Sequence, residues 1–437
     1  MKVRKIIALS TVAITLTMLT ACSGGDGGVP DMPGGSDEAK LNASPAPKGF
    51  TAPTKFSPDP VIALPDSATQ GKVYIGGDLP PLPVALHQGT VFISRPDGLD
   101  VVSSYGKSFP ATITPEHSPV LRLESTGGGF VGNNPAHAPL ITSFGGKTWV
   151  LSAVVAEVTG SGTTKSHDVV ELMAVDTANT RTKAWFTETK VTVEDRYSRD
   201  RGEAHVVGRG GNTVVILSRG QLFGVDLTSR RHLWTAQGTY DEGAVVIGDR
   251  VIALRDRPEG GDQVVGISTA DGKDLWTSPR AARDELSVAG PDTVMTYEKA
   301  EQQGGDRHHL LNAATGEIQA ILPKDAPSSG CAYDGAAVTV CTDGRGSDRK
   351  VAAYNPKNGQ EVWRLPDAAG TRVAPSINLV RAGLIYGMAN GNPVVLDAAS
   401  GKDKENQPGV APHLTDGYVG ITETKDGRGL SAYRAVG

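Results

Sequence analysis

The chain is short of cysteine, of positive charge, of long apolar runs and of helical periodicity, and each shortage removes a class of protein. Its 437 residues hold three cysteines. Two of them, Cys331 and Cys341, lack a histidine at ligand spacing, which speaks against a zinc site. Lys and Arg number 43 against 48 Asp and Glu, a net charge of −5. That balance offers no clustered basic face for a phosphate backbone, so no nucleic-acid partner is expected. Only Ile6 to Leu19 is a nearly unbroken apolar run, and its roughly 15 positions fall short of the roughly 20 that a spanning helix needs. No long segment shows a 3.6-residue period, and there is no nucleophile elbow, no histidine pair at i, i+4 and no reliable Ser/His/Asp set. Gly127-Gly128-Gly129 and Gly208-Arg209-Gly210-Gly211 are not phosphate loops, because neither Lys-Ser/Thr nor a helix follows.

What is present begins with an export signal. Lys2, Arg4 and Lys5 precede the apolar run, and Leu19-Thr20-Ala21-Cys22 follows it. A charged n-region, a short apolar core and a small-residue cleavage site mark a removable signal rather than a membrane span. Leu-Thr-Ala-Cys resembles the bacterial lipobox, which implies that residues 1–21 are removed and that Cys22 becomes a diacylglycerol-bearing N-terminus. Loss of the three signal cations takes the net charge from −5 to near −8. Residues 22–58 carry Gly, Pro, Ser, Asp and Lys with almost no large apolar groups. Such a stretch cannot offset its ordering entropy and reads as a flexible, extended tether. In an exported chain the leftover Cys331 and Cys341 read as a disulfide, with two buried free thiols as the alternative. Ala332 to Ala336 between them is a hairpin-turn signal. A symmetric turn at Asp334-Gly335 would oppose Cys331 to Val338, so the register stays open.

From about residue 70 the chain is a succession of short β-branched runs broken by Gly, Asp and Asn. Thr90–Ile93, Trp149–Ser152, Thr213–Leu217, Arg250–Leu254 and Ala337–Val340 read as strands. One strand and the turn after it recur. Asp176, Asp226, Ser268, Asn312, Asn355 and Asp397 end equivalent strands and step by 50, 42, 44, 43 and 42 residues. Trp185, Trp234, Trp276 and Trp363 share one place in the repeat, and Gly272, Gly316, Gly359 and Gly401 share another. A period of 40–45 residues with a hairpin per repeat is the signature of propeller blades.

These segments resemble the "Ala-Leu-Asp-x-x-Thr-Gly-x-x-x-Trp" repeat of PQQ-like, quinoprotein-type β-propellers, best at 264–276, 351–363 and 394–402 and more weakly at 172–185, 222–234 and 308–320. The resemblance implies that each glycine makes a tight turn and each tryptophan wedges between blades. Ala320 replaces one tryptophan, the blade after Gly401 has none, and the first two repeats lack the turn glycine. The expected fold is an all-β propeller over 70–437 with four-stranded blades. Six repeats over 140–407 plus a ring closed by mixed N- and C-terminal strands favour seven blades, or eight if 72–123 forms its own.

The family also contains true dehydrogenases, in which PQQ stacks on a tryptophan, is capped by a disulfide between adjacent cysteines and sits by Ca²⁺ held by Glu, Asn and Asp. This chain has no Cys-Cys pair and no acidic calcium loop, so neither PQQ nor calcium is expected, no metal ligand or catalytic residue is nominated, and catalysis is disfavoured. His308-His309 reads as a surface loop entering a strand. Glu194 to Arg201 reads as a solvated charged loop, or else as a charged rim that reads a ligand or partner. Asn133 to His137 is a candidate binding loop. The expected protein is a monomer held by its lipid on the extracytoplasmic side of the cell membrane. Its propeller is read as a non-catalytic, BamB-like platform for an envelope or membrane protein. A sensor or solute-binding lipoprotein and a PQQ-type enzyme are the alternatives.

Overall fold

Alternating and β-branched runs joined by two-residue turns dispose a chain to antiparallel hairpins, and the computed structural model shows them repeated around a ring. It describes residues 48–69, 82–104, 110–121, 136–191, 203–257, 261–282, 286–298 and 307–437, all in the unit from Pro47 to Gly437. The export signal, Cys22 and the tether up to residue 47 lie outside the described residues, as do Gly127–Gly129 and Glu194–Arg201.

The strands of the described residues form eight antiparallel sheets. Blades 1 to 7 span 84–113, 118–190, 205–235, 240–282, 286–321, 330–365 and 376–405. Blade 8 takes Leu414–Thr415, Val419–Glu423 and Leu430–Ala435 from the C-terminus and Phe56–Ala63 from the N-terminal side. Blade 2 carries a fifth, two-residue strand, Ser118–Pro119, beside its long second strand, Lys147–Val158. Eight blades replace the favoured seven because 84–113 builds a sheet of its own and does not lend strands to the closing blade.

Closure is visible in the packing. Eight separate apolar clusters fill the eight interfaces between neighbouring blades. One joins blade 8 to blade 1 through Val419, Ile421 and Ala432 against Val84, Val91 and Ile93. Because blades stack face to face, both faces of their middle strands are covered. Thr213–Ser218 is buried at every position, which is why such strands read as continuous apolar runs and not as alternations. Outer strands keep one wet face, and Trp185–Lys190 alternates accordingly.

The closing strand begins earlier than residue 70. Phe56–Ala63 pairs antiparallel with Leu430–Ala435, from Phe56 opposite Ala435 to Ala63 opposite Ser431. Pro58 and Pro60 are tolerated because this is an edge strand. The stretch before it is pinned as well: Phe50 N–H donates to Gly417 O at 2.9 Å, Tyr386 Oη donates to Pro53 O at 2.8 Å, and Lys55 pairs with Glu405 at 3.0 Å. Residues 50–58, read from composition as tether, are therefore part of the ring. Their few apolar groups find partners contributed by the far end of the chain.

The tryptophans and turn glycines meet across blade boundaries. Trp234 Nε1 donates to Thr269 O at 2.9 Å, Trp276 Nε1 to Ala313 O at 3.2 Å and Trp363 Nε1 to Ala398 O at 2.8 Å, each acceptor in the following blade. A Cβ on Gly272, Gly316 or Gly401 would lie 2.6, 2.3 or 2.6 Å from the corresponding indole. Gly359 faces Ala320 instead, 3.1 Å from the built Cβ. All four glycines have left-handed backbone, φ between 66° and 71°, which glycine adopts without steric cost. Within a blade the tryptophan also sits on a small cross-strand partner: Gly224 opposes Trp234, Gly266 opposes Trp276 and Ala353 opposes Trp363. Where Ala320 replaces tryptophan, Leu310 stands opposite and fills the space from the other strand.

Candidate binding face

Up-and-down strand order sends the connections of every blade to two opposite faces. On one face lie the links after first and third strands, which are short: residues 88–89, 145–146, 382–383 and the repeat turns such as 269–273. On the other lie the links after second and fourth strands, including 159–166, 322–329, 344–349, 366–375 and 406–413. Long connections held on a rigid scaffold are where binding residues concentrate.

A cavity of about 1570 Å³ opens on that second face. Val84, Ala138, Ser329, Ser376 and Leu414 line it, and each lies at or just before the start of an inner strand, in blades 1, 2, 6, 7 and 8 respectively. It is therefore the mouth of the ring. Its wall is mixed. Leu82, Ile377, Met388 and Val410 supply apolar surface, while Asp343, Arg345, Arg349, Glu423 and Lys425 supply charge. Asp343 accepts from Ser329 Oγ and from Gly344 N–H, and Asn378 Nδ2 donates to Ala411 O at 2.7 Å. Burial holds the His413 imidazole neutral, its pKa pushed down to about 4.

A second, small cavity of about 20 Å³ lies between blades 1, 2 and 3, room for one water molecule. His137 and His205 stack beside it with ring centroids 3.9 Å apart and planes inclined by 27°. Burial, then the neighbouring His137, pushes the His205 pKa down to about 3, and burial lowers that of His137. Of the candidate loop Asn133–His137, residues 133–135 lie outside the described residues, and His137 packs against blade 3.

Other expectations fall differently. His308 and His309 are not in a surface loop. They belong to the third strand of blade 5, Arg307–Asn312, and are 3% and 4% exposed. Pairing of Tyr297 with His308 and Thr296 with His309 draws both into the sheet. Gly208 lies where two inner strands approach, and a Cβ there would come 2.8 Å from Val246. Cys331 opposes Cys341 on facing strands, with a disulfide between them. The symmetric turn is avoided because Asp334 Oδ1 accepts from the N–H groups of Ala336, Ala337 and Val338 and widens the loop. Trp185 lies in the apolar cluster between blades 2 and 3.

The described residues do not fit PQQ. No tryptophan lines the axial cavity. Trp149 is on the second strand of blade 2, and Trp185, Trp234, Trp276 and Trp363 are on outer strands. The disulfide joins facing strands and not adjacent residues. Among the described residues, no group of three or more His, Cys, Asp or Glu is placed to hold a metal, and no helix is long and apolar enough to cross a membrane.

Residues 262–420 match the sequence model of a family described as outer membrane protein assembly factor BamB. By sequence, no protein of curated function matches. Among solved structures, the chain is similar to BamB from Moraxella catarrhalis, at 13% identity over 68% of this chain and 96% of that one, TM-score 0.31. It is also similar to a europium-containing methanol dehydrogenase, at 11% identity over 85% of each chain, TM-score 0.40. A eukaryotic initiation factor is similar at 10% identity over 78% of this chain and 77% of that one, TM-score 0.42. The recurring turn, the indole on the next blade's glycine and the closed sheets make the described chain an eight-bladed β-propeller, whose residues 262–420 match the PQQ-like repeat family.

Proposed function

We propose that this protein is a lipid-anchored platform on the extracytoplasmic side of the membrane. Its long-connection face binds another envelope or membrane protein without catalysis of its own. The observation that carries this reading is the asymmetry of the two faces: tight turns close one, while long connections surround a cavity of about 1570 Å³ on the other. The match of residues 262–420 to a family described as an assembly factor supports it, as do the signal ending at Cys22 and the tether behind it. Fold alone does not set function, so the cavity and its loops, not the ring, carry the proposal.

The test is in-cell crosslinking of the full-length protein with a photoreactive residue at Asn378, followed by purification from its own membrane. One stoichiometric envelope protein is the expected product. No crosslinked partner, under conditions that capture a known complex, would overturn the platform reading and favour a solute on the propeller axis. Cys22→Ser should release the protein from the membrane fraction.

A further inference from the structure

We infer that the loop-face cavity holds an acidic, partly apolar, extended segment of a partner protein, gripped by Arg345, Arg349 and Lys425. This deepens the platform reading and rests on it. Arg345 and Arg349 flank the short 3-10 turn Gly346–Asp348 between the second and third strands of blade 6. Lys425 occupies the corresponding connection of blade 8, between Val419–Glu423 and Leu430–Ala435. Blade 7, between them, has only Asn390 and Gly391 at that place. The two longer connections thus flank the short one of blade 7, and both line the cavity.

Among the described residues, none of the three cations forms an ion pair or side-chain hydrogen bond. Several cations elsewhere are paired. Arg364 meets Glu361 and Asp325, Arg372 meets Asp403, Arg255 meets Asp274 and Arg95 meets Asp97 and Asp100. The cavity's own carboxylates are not paired with them: Asp343 accepts from Ser329 Oγ and the Gly344 N–H, and among the described residues Glu423 forms no ion pair. In a chain with 48 acidic and 43 basic residues, a lining of three cations against the two carboxylates Asp343 and Glu423 is a local reversal of sign. Such a reversal steers an anionic partner to that place and away from the rest of the surface.

Two arginine forks suit carboxylates, which they bind through paired charge-assisted hydrogen bonds. Leu82, Ile377, Met388 and Val410 offer apolar wall between them. The size suits a segment of a macromolecule. At about 1570 Å³ the cavity is larger than the about 300–1000 Å³ typical of small-molecule pockets and has room for an extended peptide segment.

The probe is a fluorescent peptide of alternating Glu and Leu, titrated against the full-length protein by anisotropy, with a Lys/Leu peptide as its opposite. The Glu/Leu peptide should bind, weaken as salt screens the charges, and lose about tenfold or more in the variant R345E/R349E/K425E. Lys273→Glu, on the tight-turn face, should leave binding unchanged, and circular dichroism should show both variants folded. Equal binding by the triple variant, or preference for the Lys/Leu peptide, overturns the inference. So does competition by millimolar inorganic phosphate, which would mark a simple anion site. Capture by anionic phospholipid vesicles in preference to the peptide overturns it in favour of a lipid surface. In the Asn378 crosslinking experiment, loss of the partner from the triple variant alone supports the inference. Equal capture by wild type and triple variant overturns it and leaves the platform reading standing.

Discussion

Arg230 lies over Trp185, its guanidinium carbon 5.1 Å from the ring centroid, on a left-handed backbone with φ of 57°. Its N–H donates to Asp226 O at 2.8 Å, as Gly272 N–H does to Ser268 O at 2.9 Å and Gly401 N–H to Asp397 O at 2.8 Å. Arginine therefore occupies the turn-glycine position in blade 3 and covers the preceding blade's tryptophan with its side chain, where glycine does so with its backbone.

Left-handed backbone costs a non-glycine residue about 1–2 kcal/mol, and the cation over the indole returns about 0.5–1 kcal/mol. Arg230→Gly should therefore leave stability within about 1 kcal/mol of wild type. Arg230→Ala, which keeps the strain and loses the stacking, should cost about 1 kcal/mol. Urea midpoints of the two variants check the order; a more stable alanine variant would contradict it.

Leu310 and Ala320 exchange volume with the Gly266 and Trp276 pair of the neighbouring blade. Ala320→Trp alone should overpack against Leu310 and cost about 1–3 kcal/mol. Leu310→Gly alone should open a cavity and cost about 2–5 kcal/mol. The double variant should recover at least about 1 kcal/mol of their sum, read from a double-mutant cycle of denaturation midpoints. Additive losses would show that the two positions do not share one space.

The Cys331–Cys341 disulfide closes a short loop, with a sequence separation of 10. Loop-closure entropy for that length gives about 2–3 kcal/mol. A reducing agent should lower the melting temperature of the wild type and leave that of C331A/C341A unmoved. The oxidised protein should also show one free thiol fewer per cysteine than the reduced protein on mass labelling.

His205 and His413 have pKa values of about 3 and about 4 in the folded state, below the ordinary 6.5. Both are neutral in the fold, so between these values and 6.5 the unfolded chain binds more protons. Their contribution is complete above about pH 6.5 and is lost as the pH falls toward 4 and then 3. Midpoints measured from pH 7.5 to 4 should decline. His205→Phe, which keeps a stacking ring, and His413→Phe should each flatten the decline. A slope unchanged in both would place the acid sensitivity elsewhere.

The repeat itself was readable because its parts are local. Asp271-Gly272 and Asn358-Gly359 announce a turn, a tryptophan follows at fixed spacing, and both recur with the blade. The second strands announced themselves too, since Thr213–Leu217 and Arg250–Leu254 are apolar on both faces and lie between two blades. Phe56–Ala63 gave no such signal. With Pro58 and Pro60 and four exposed positions in a row, it is a strand only because Leu430–Ala435 offers an unpaired edge. His308 and His309 misled for the same reason: a glycine-rich approach resembles a loop, and their burial depends on blades 4 and 6 covering the two faces of their strand.

By itself the sequence determined the all-β propeller, the repeat length, the approximate places of the inner hairpins and the glycine-tryptophan register, because turn chemistry and strand patterning act within a few residues. Tertiary structure decided the number of blades, the strand that closes the ring, the partner of Cys331 and the grouping of Arg345, Arg349 and Lys425 around one cavity. These depend on which distant segments meet. Residues 56 and 435 face each other through the geometry of eight packed sheets, and no local pattern along the chain encodes that meeting.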